Sequence, residues 1–138
     1  MKLRFDPIAK RKKAIAKRAL KKAIVFMKQK YGKFSLAGVT ITFRDGTKGS
    51  DYRECVINIS MDTILTMYKR KRCKLTTPKD GIDVGIELRA TLSALHECTH
   101  HQQRVSERPM TEVETTNNEI EYLYLYHRDI YNKLIPVK

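Results

Sequence analysis

Apolar side chains recur every three or four residues between Pro7 and Gly32. Ala16, Leu20, Ala23, Ile24, Met27 and Tyr31 form one stripe, while Lys13, Lys17, Arg18, Lys21, Lys22 and Lys28 take much of the remaining surface. This spacing predicts an amphipathic helix over 7–31, with Pro7 suited to its first turn and Gly32 breaking it. The period then changes to two. Val39, Ile41 and Phe43 alternate with Thr40 and Thr42, and Cys55, Ile57, Ile59 and Met61 alternate with Val56, Asn58 and Ser60, so two strands are expected. The Gly- and Asp-rich stretch "RDGTKGSDYRE" joins them as a hairpin or a longer loop. The polar second face of the later strand predicts an exposed sheet edge.

A shorter helix is expected from Asp62 to about Tyr68, capped by Asp62 or Thr63. The charged segment "KRKRCKLTTPKDGIDVG", punctuated by Pro78, Gly81 and Gly85, predicts a loop. Leu88, Leu92 and Leu95 then mark the buried stripe of a helix over 86–105. Thr111 and Glu114 have capping-box spacing and open a last helix that runs to about Leu134, before Pro136. Its predicted buried face is Val113, Ile120, Leu123, His127, Ile130 and Leu134. The fold class is α+β, in one domain over 1–138.

A chain of 138 residues is long enough to bury about two-thirds of its unfolded surface around a single core. Its charge is unusual: 28 Lys and Arg against 15 acids give +13. Thirteen of those bases fall in the first 33 residues, with Asp6 the one acid among them. Such a field attracts phosphate backbones, anionic lipid or acidic protein surfaces, and equally suits a solubilising helix face. "KRKRCK" at 69–74 adds a second basic run, but no nucleic-acid motif interleaves aromatics with these charges. Cys55, Cys73 and Cys98 are odd in number and unpaired in spacing, as reduced thiols would be. No apolar run approaches the ~18 residues of a membrane span, and lysines interrupt any signal-peptide core. A cytoplasmic protein is expected.

Three of the four histidines lie within residues 96 to 101, in "HECTHH". Positions i and i+4 of a helix share a face, so His96 and His100 can present two imidazoles to one metal ion. Zinc takes neutral imidazole nitrogens, keeps an open position for water and lowers that water's pKa towards ~7. Glu97 is placed to take the proton. Such a site needs a third ligand, and the last helix offers Glu112, Glu114, Glu119 and Glu121. On the wheel Glu119 falls about 70° from the centre of the apolar face and Glu121 about 130° away, which favours Glu119. Glu112 shares the flank of Glu119 but lies at the helix start, where a carboxylate is often dipole compensation. Cys98 falls on another face, as a buried thiol. His101 reads as a surface or supporting residue and His127 as a core histidine.

"HECTH", followed nineteen residues after His100 by "EIEYL", resembles the gluzincin clan of zinc metallopeptidases, above all its small single-domain members. The resemblance implies a zincin-like fold with an N-terminal helix, a small sheet with an exposed edge strand, a motif helix and a C-terminal glutamate helix. It implies one Zn2+ per chain on His96, His100 and Glu119, with Glu97 as general base in peptide-bond hydrolysis. It also implies that extended substrate pairs with the edge strand "CVINIS". Where many small members carry Ala-Asp or Ala-Asn after the ligand glutamate, this chain has Tyr122 and Leu123. Tyr122, Tyr126, His101 and His127 are the candidates for stabilising an oxyanion. Two other readings fit the same residues. One is a nucleic-acid-binding module, through the basic N-terminal helix, whose HExxH helix is inactive or structural. The other is a DNA-associated metalloprotease, which a polycation would place on DNA beside the bound proteins it cleaves.

Overall fold

Four helices and a small mixed sheet form an α+β fold in the computed structural model, which describes residues 1–7, 10–45, 49–61, 65–67, 73–75 and 82–134. The expected caps at Asp62 and Thr63, residues 69–72 of the second basic run, and Pro136 lie outside these residues.

Helix α1 (Lys10–Tyr31) carries the amphipathic pattern and ends at Gly32, whose φ of +66° lets its N–H reach back to the Lys28 carbonyl at 2.9 Å. Ala16, Leu20, Ala23 and Met27 are buried, as the stripe requires, and Ile15, Ala19 and Phe26 widen it. Strand β1 (Lys2–Phe5) precedes the helix. Its alternation of Lys2 and Arg4 with Leu3 and Phe5 spans four residues, a short signal. Strand β2 (Thr40–Asp45) lies parallel to β1 on one side and to β4 (Val56–Met61) on the other.

The parallel pairing of β2 with β4 excludes the hairpin between them and leaves the longer connection, which contains β3. The hairpin lies later. Strand β3 (Asp51–Arg53) runs antiparallel to β4, with Cys55, at φ +61°, in the turn, so Cys55 is exposed rather than inward. The order β1-β2-β4-β3 puts β4 inside the sheet. "CVINIS" is therefore not the exposed edge; β3 covers it. A polar outer face does not mark an edge when a neighbouring strand supplies partners: Asn58 donates to Asp51 at 2.7 Å, and Ser60 N–H to Ser50 Oγ at 2.8 Å. On the inner face Ile41 pairs with Ile57 and Phe43 with Ile59, all fully buried against the helices.

Residues 65–67, expected as helix, are strand β5 (Leu65–Met67), paired with β6 (Cys73–Leu75) inside the expected loop. A seven-residue helix has too few internal hydrogen bonds to outweigh its nucleation cost, whereas a ladder satisfies the same backbone groups. Helix α2 (Ile82–Val105) starts four residues before the expected bound at 86 and takes in Gly85. It is the central helix, packed on α1, on β4 and on α3 (Glu112–Tyr126), and it is buried almost all round. The chain turns tightly after it, with Glu107 at φ +55° and Arg108 N–H on the Gln103 carbonyl at 2.8 Å, bringing residues 111–112 back beside it. No helix among the described residues is long and apolar enough to cross a membrane.

The last helix departs from expectation in three ways. It breaks at His127 (φ −141°, ψ 59°), giving α3 and then α4 (Arg128–Leu134). The capping box does not form, because the Glu114 carboxylate is held by Arg108 at 2.7 Å, Tyr31 at 2.5 Å and Gln103 at 3.2 Å. Its buried face is also rotated. Val113 is 70% exposed, while Thr115, Asn118, Tyr122 and Leu123 are buried.

Candidate metal centre

His96 and His100 sit one turn apart on α2, with ring centroids 5.0 Å apart. The helix holds them at the edge of the core, their side chains 27% and 11% exposed. Both Nε2 atoms face the first turn of α3. There the Glu112 carboxylate lies 2.9 Å from His96 Nε2 and 3.0 Å from His100 Nε2. One donor atom from each of the three residues lies within 4.8 Å of the other two, a spacing that can hold a metal ion.

The opposite ring nitrogens are committed elsewhere. His96 Nδ1 meets Glu119 Oε1 at 3.1 Å, and His100 Nδ1 meets Gln103 Oε1 at 2.9 Å. A carboxylate and an amide oxygen only accept, so each Nδ1 carries the hydrogen. Gln103 is fully buried, and its amide nitrogen donates to the Thr111 carbonyl at 3.1 Å and to Glu114 at 3.2 Å, which keeps its oxygen on His100. Rings so held turn both Nε2 atoms towards the Glu112 carboxylate. Two imidazole nitrogens and a carboxylate facing one point could hold a cation. That donor set, neutral imidazoles with a carboxylate, fits zinc.

Glu119 was expected as the third ligand. Its side chain is turned inward, 14% exposed, but it stands at the far nitrogen of His96, and Glu112 takes the place beside the two Nε2 atoms. Glu121 is 44% exposed and pairs with Lys30 at 2.6 Å. Sequence reasoning set Glu112 aside as dipole compensation and missed Gln103. The latter was signalled by its i+3 spacing from His100, which puts both on one face. Leu123, at the position where the resembled family carries a supporting carboxylate or amide, is fully buried in the core. The Nδ1 atoms of His96 and His100 meet Glu119 and Gln103 instead.

Glu97 is buried, 5% exposed, and its carboxylate makes no hydrogen bond among the described residues. Burial pushes its carboxyl up to about 7; His96 opposes this, and the charges of Asp51, Glu112 and Glu119 reinforce it. A carboxylate with that pKa accepts and returns protons near neutrality. Burial pulls the His96 pKa down, but the Glu119 hydrogen bond and the charges of Glu119, Glu97 and Glu112 outweigh it and hold the ring above its ordinary value. Cys98 is fully buried and its thiol is pushed up to about 12, first by burial and then by Glu97, which leaves it unreactive.

The four oxyanion candidates lie elsewhere. His101 is buried between Phe34 and Tyr52, its Nδ1 3.0 Å from Tyr52 Oη, and burial lowers its pKa. Tyr122, Tyr126 and His127 line a separate groove against α1. The places of Tyr122 and Tyr126 follow from the rotation of α3, which the apolar pattern alone misplaced.

No family model matches the chain, no curated protein matches it, and no solved structure matches its fold.

Proposed function

We propose that the chain is a zinc-dependent metallopeptidase in which His96, His100 and Glu112 hold one zinc ion and Glu97 is the general base. The observation that carries this reading is the paired orientation of the imidazoles: both Nδ1–H groups are occupied by Glu119 and Gln103, and both Nε2 atoms meet one carboxylate. A bound zinc ion would supply Lewis-acid polarisation of a scissile carbonyl and acidify the attacking water. Glu97 takes the proton from that water and returns it to the leaving amine. Glu119 and Gln103 act as positioning residues that hold the ligand rings. Strand β3 ends the sheet beside α2, so its outer edge is where an extended peptide would add a strand.

Metal content and cleavage of an unstructured peptide, measured on the same variants, test this. The parent is expected to bind one zinc per chain, and His96→Ala, His100→Ala and Glu112→Ala to lose it. Glu119→Ala is expected to keep zinc with affinity weakened about 10- to 100-fold. Glu97→Gln should retain the metal and lose cleavage. Undiminished cleavage by Glu97→Gln, or no zinc bound by the parent, ends the proposal. Zinc lost with Glu119→Ala and kept with Glu112→Ala would instead return the third ligand to Glu119.

A further inference from the structure

The basic residues of α1 and the tyrosines of α3, a hundred positions apart in the chain, meet across one groove. It encloses about 640 Å³, with Arg18, Lys21 and Lys22 on one wall and Tyr122, Tyr126 and His127 on the other. Tyr122 is its floor, 4% exposed and packed edge-on against Phe26 at 6.0 Å. Tyr126 is 52% exposed, its ring centroid 4.9 Å from that of Tyr122. An aromatic face is thus open beside cations.

The charge there is not cancelled. Glu87 accepts from both Arg18 and Lys22 at 2.6 Å, one acid for two bases, and Lys21 makes no ion pair among the described residues. Lys21 and Val25 also border a second hollow on the other side of α1, between Lys17 and Lys28. From Lys17 to Lys28 the row of exposed lysines extends about 16 Å along the helix. A single phosphate would use one of these positions; a repeating polyanion uses the row.

We infer that this groove binds single-stranded nucleic acid, the lysines taking the phosphates and Tyr126 stacking a base. The chemistry selects that ligand. In an acidic peptide the groups that match the charge, Asp and Glu side chains, carry no flat ring for the tyrosine, whereas every nucleotide couples a phosphate to one. A bilayer surface does not enter a concave groove. A duplex keeps its base faces stacked internally, whereas a single strand splays them out. None of the groove residues belongs to the His96, His100 and Glu112 cluster, so the inference does not depend on the peptidase proposal.

The test is fluorescence anisotropy with a labelled oligothymidylate of about twelve nucleotides, at several salt concentrations and with chelator present throughout. Working without metal separates this result from the fate of the zinc proposal. Binding is expected to weaken with salt, and Lys21→Ala to reduce the salt slope by about one. Tyr126 is exposed enough to be replaced without unfolding; Tyr126→Ala should weaken binding about fivefold or more, and Tyr126→Phe should preserve it. Lys30→Ala removes the same charge outside the groove, where Lys30 pairs with Glu121, and should stay near the parent. Parent-like affinity in Tyr126→Ala overturns the inference, as does a duplex of equal length bound as tightly as the single strand. An equal loss in Lys30→Ala and Lys21→Ala would show attraction by net charge alone and overturn it too.

Discussion

His100 and Gln103 stand three residues apart on α2 and share a face, and that local fact decides which nitrogen of His100 is turned to Glu112. At the scale of single residues much of the centre was legible in advance. Helical periodicity alone puts His96 and His100 together, and it buries Cys98. Glu97 illustrates how burial changes chemistry. Its folded pKa, about 7, lies above the ordinary glutamate value of 4.5, with burial the largest cause. A carboxyl raised in this way adds stability that is fully present below the unfolded pKa and is lost as pH rises through the folded one. In metal-free protein the loss should therefore fall between about pH 4.5 and 7 and reach about 3 kcal/mol. Glu97→Gln, which cannot ionise, should be more stable than the parent at pH 8 by about that amount and equal to it near pH 4, measured by denaturant unfolding without metal. An advantage that is the same at both pH values would show that Glu97 ionises freely in the fold.

At the scale of elements, α1 and α2 announced themselves because their apolar stripes are long and unbroken. Helix α3 did not. The periodicity of Val113, Ile120 and Leu123 points its face one way, but polar residues set its rotation. Fully buried Asn118 donates to Thr99 Oγ1 at 2.8 Å on α2 and to Tyr31 Oη at 2.9 Å on α1. Once Asn118 is turned inward, Glu119 falls beside His96. Asn118→Ala removes both hydrogen bonds and should cost about 1–3 kcal/mol of stability in the same denaturant assay. A midpoint unchanged by that substitution would mean that α3 is oriented by something else. Strand order was hidden for a related reason. Alternation identified β2 and β4, yet which strand lies beside which depends on backbone partners distant in sequence, so β3 and not β4 came to occupy the sheet's edge.

At the scale of the molecule, the candidate centre joins two helices, with His96 and His100 on α2 and Glu112 on α3. A cation held there ties α3 to the central helix and stabilises only the folded chain. Zinc at a hundredfold excess over its Kd should add about 2.7 kcal/mol, seen as a rise in Tm that chelator reverses and His100→Ala abolishes. A Tm insensitive to zinc would remove the cross-helix link. The +13 charge, a property of the whole chain in the sequence, becomes directional once α1 lies against α3. By itself the sequence determined what depends on neighbours within a turn or two: the helices and strands with strong periods, the imidazole pair and the adjacent carboxylate. Tertiary structure alone decided that Glu112 meets the imidazoles while Glu119 supports one of them, that β3 borders the sheet, and that tyrosines face lysines across a groove. The rotation of one helix against another is set by packing and hydrogen bonds between residues far apart in the chain, and local periodicity carries no record of it.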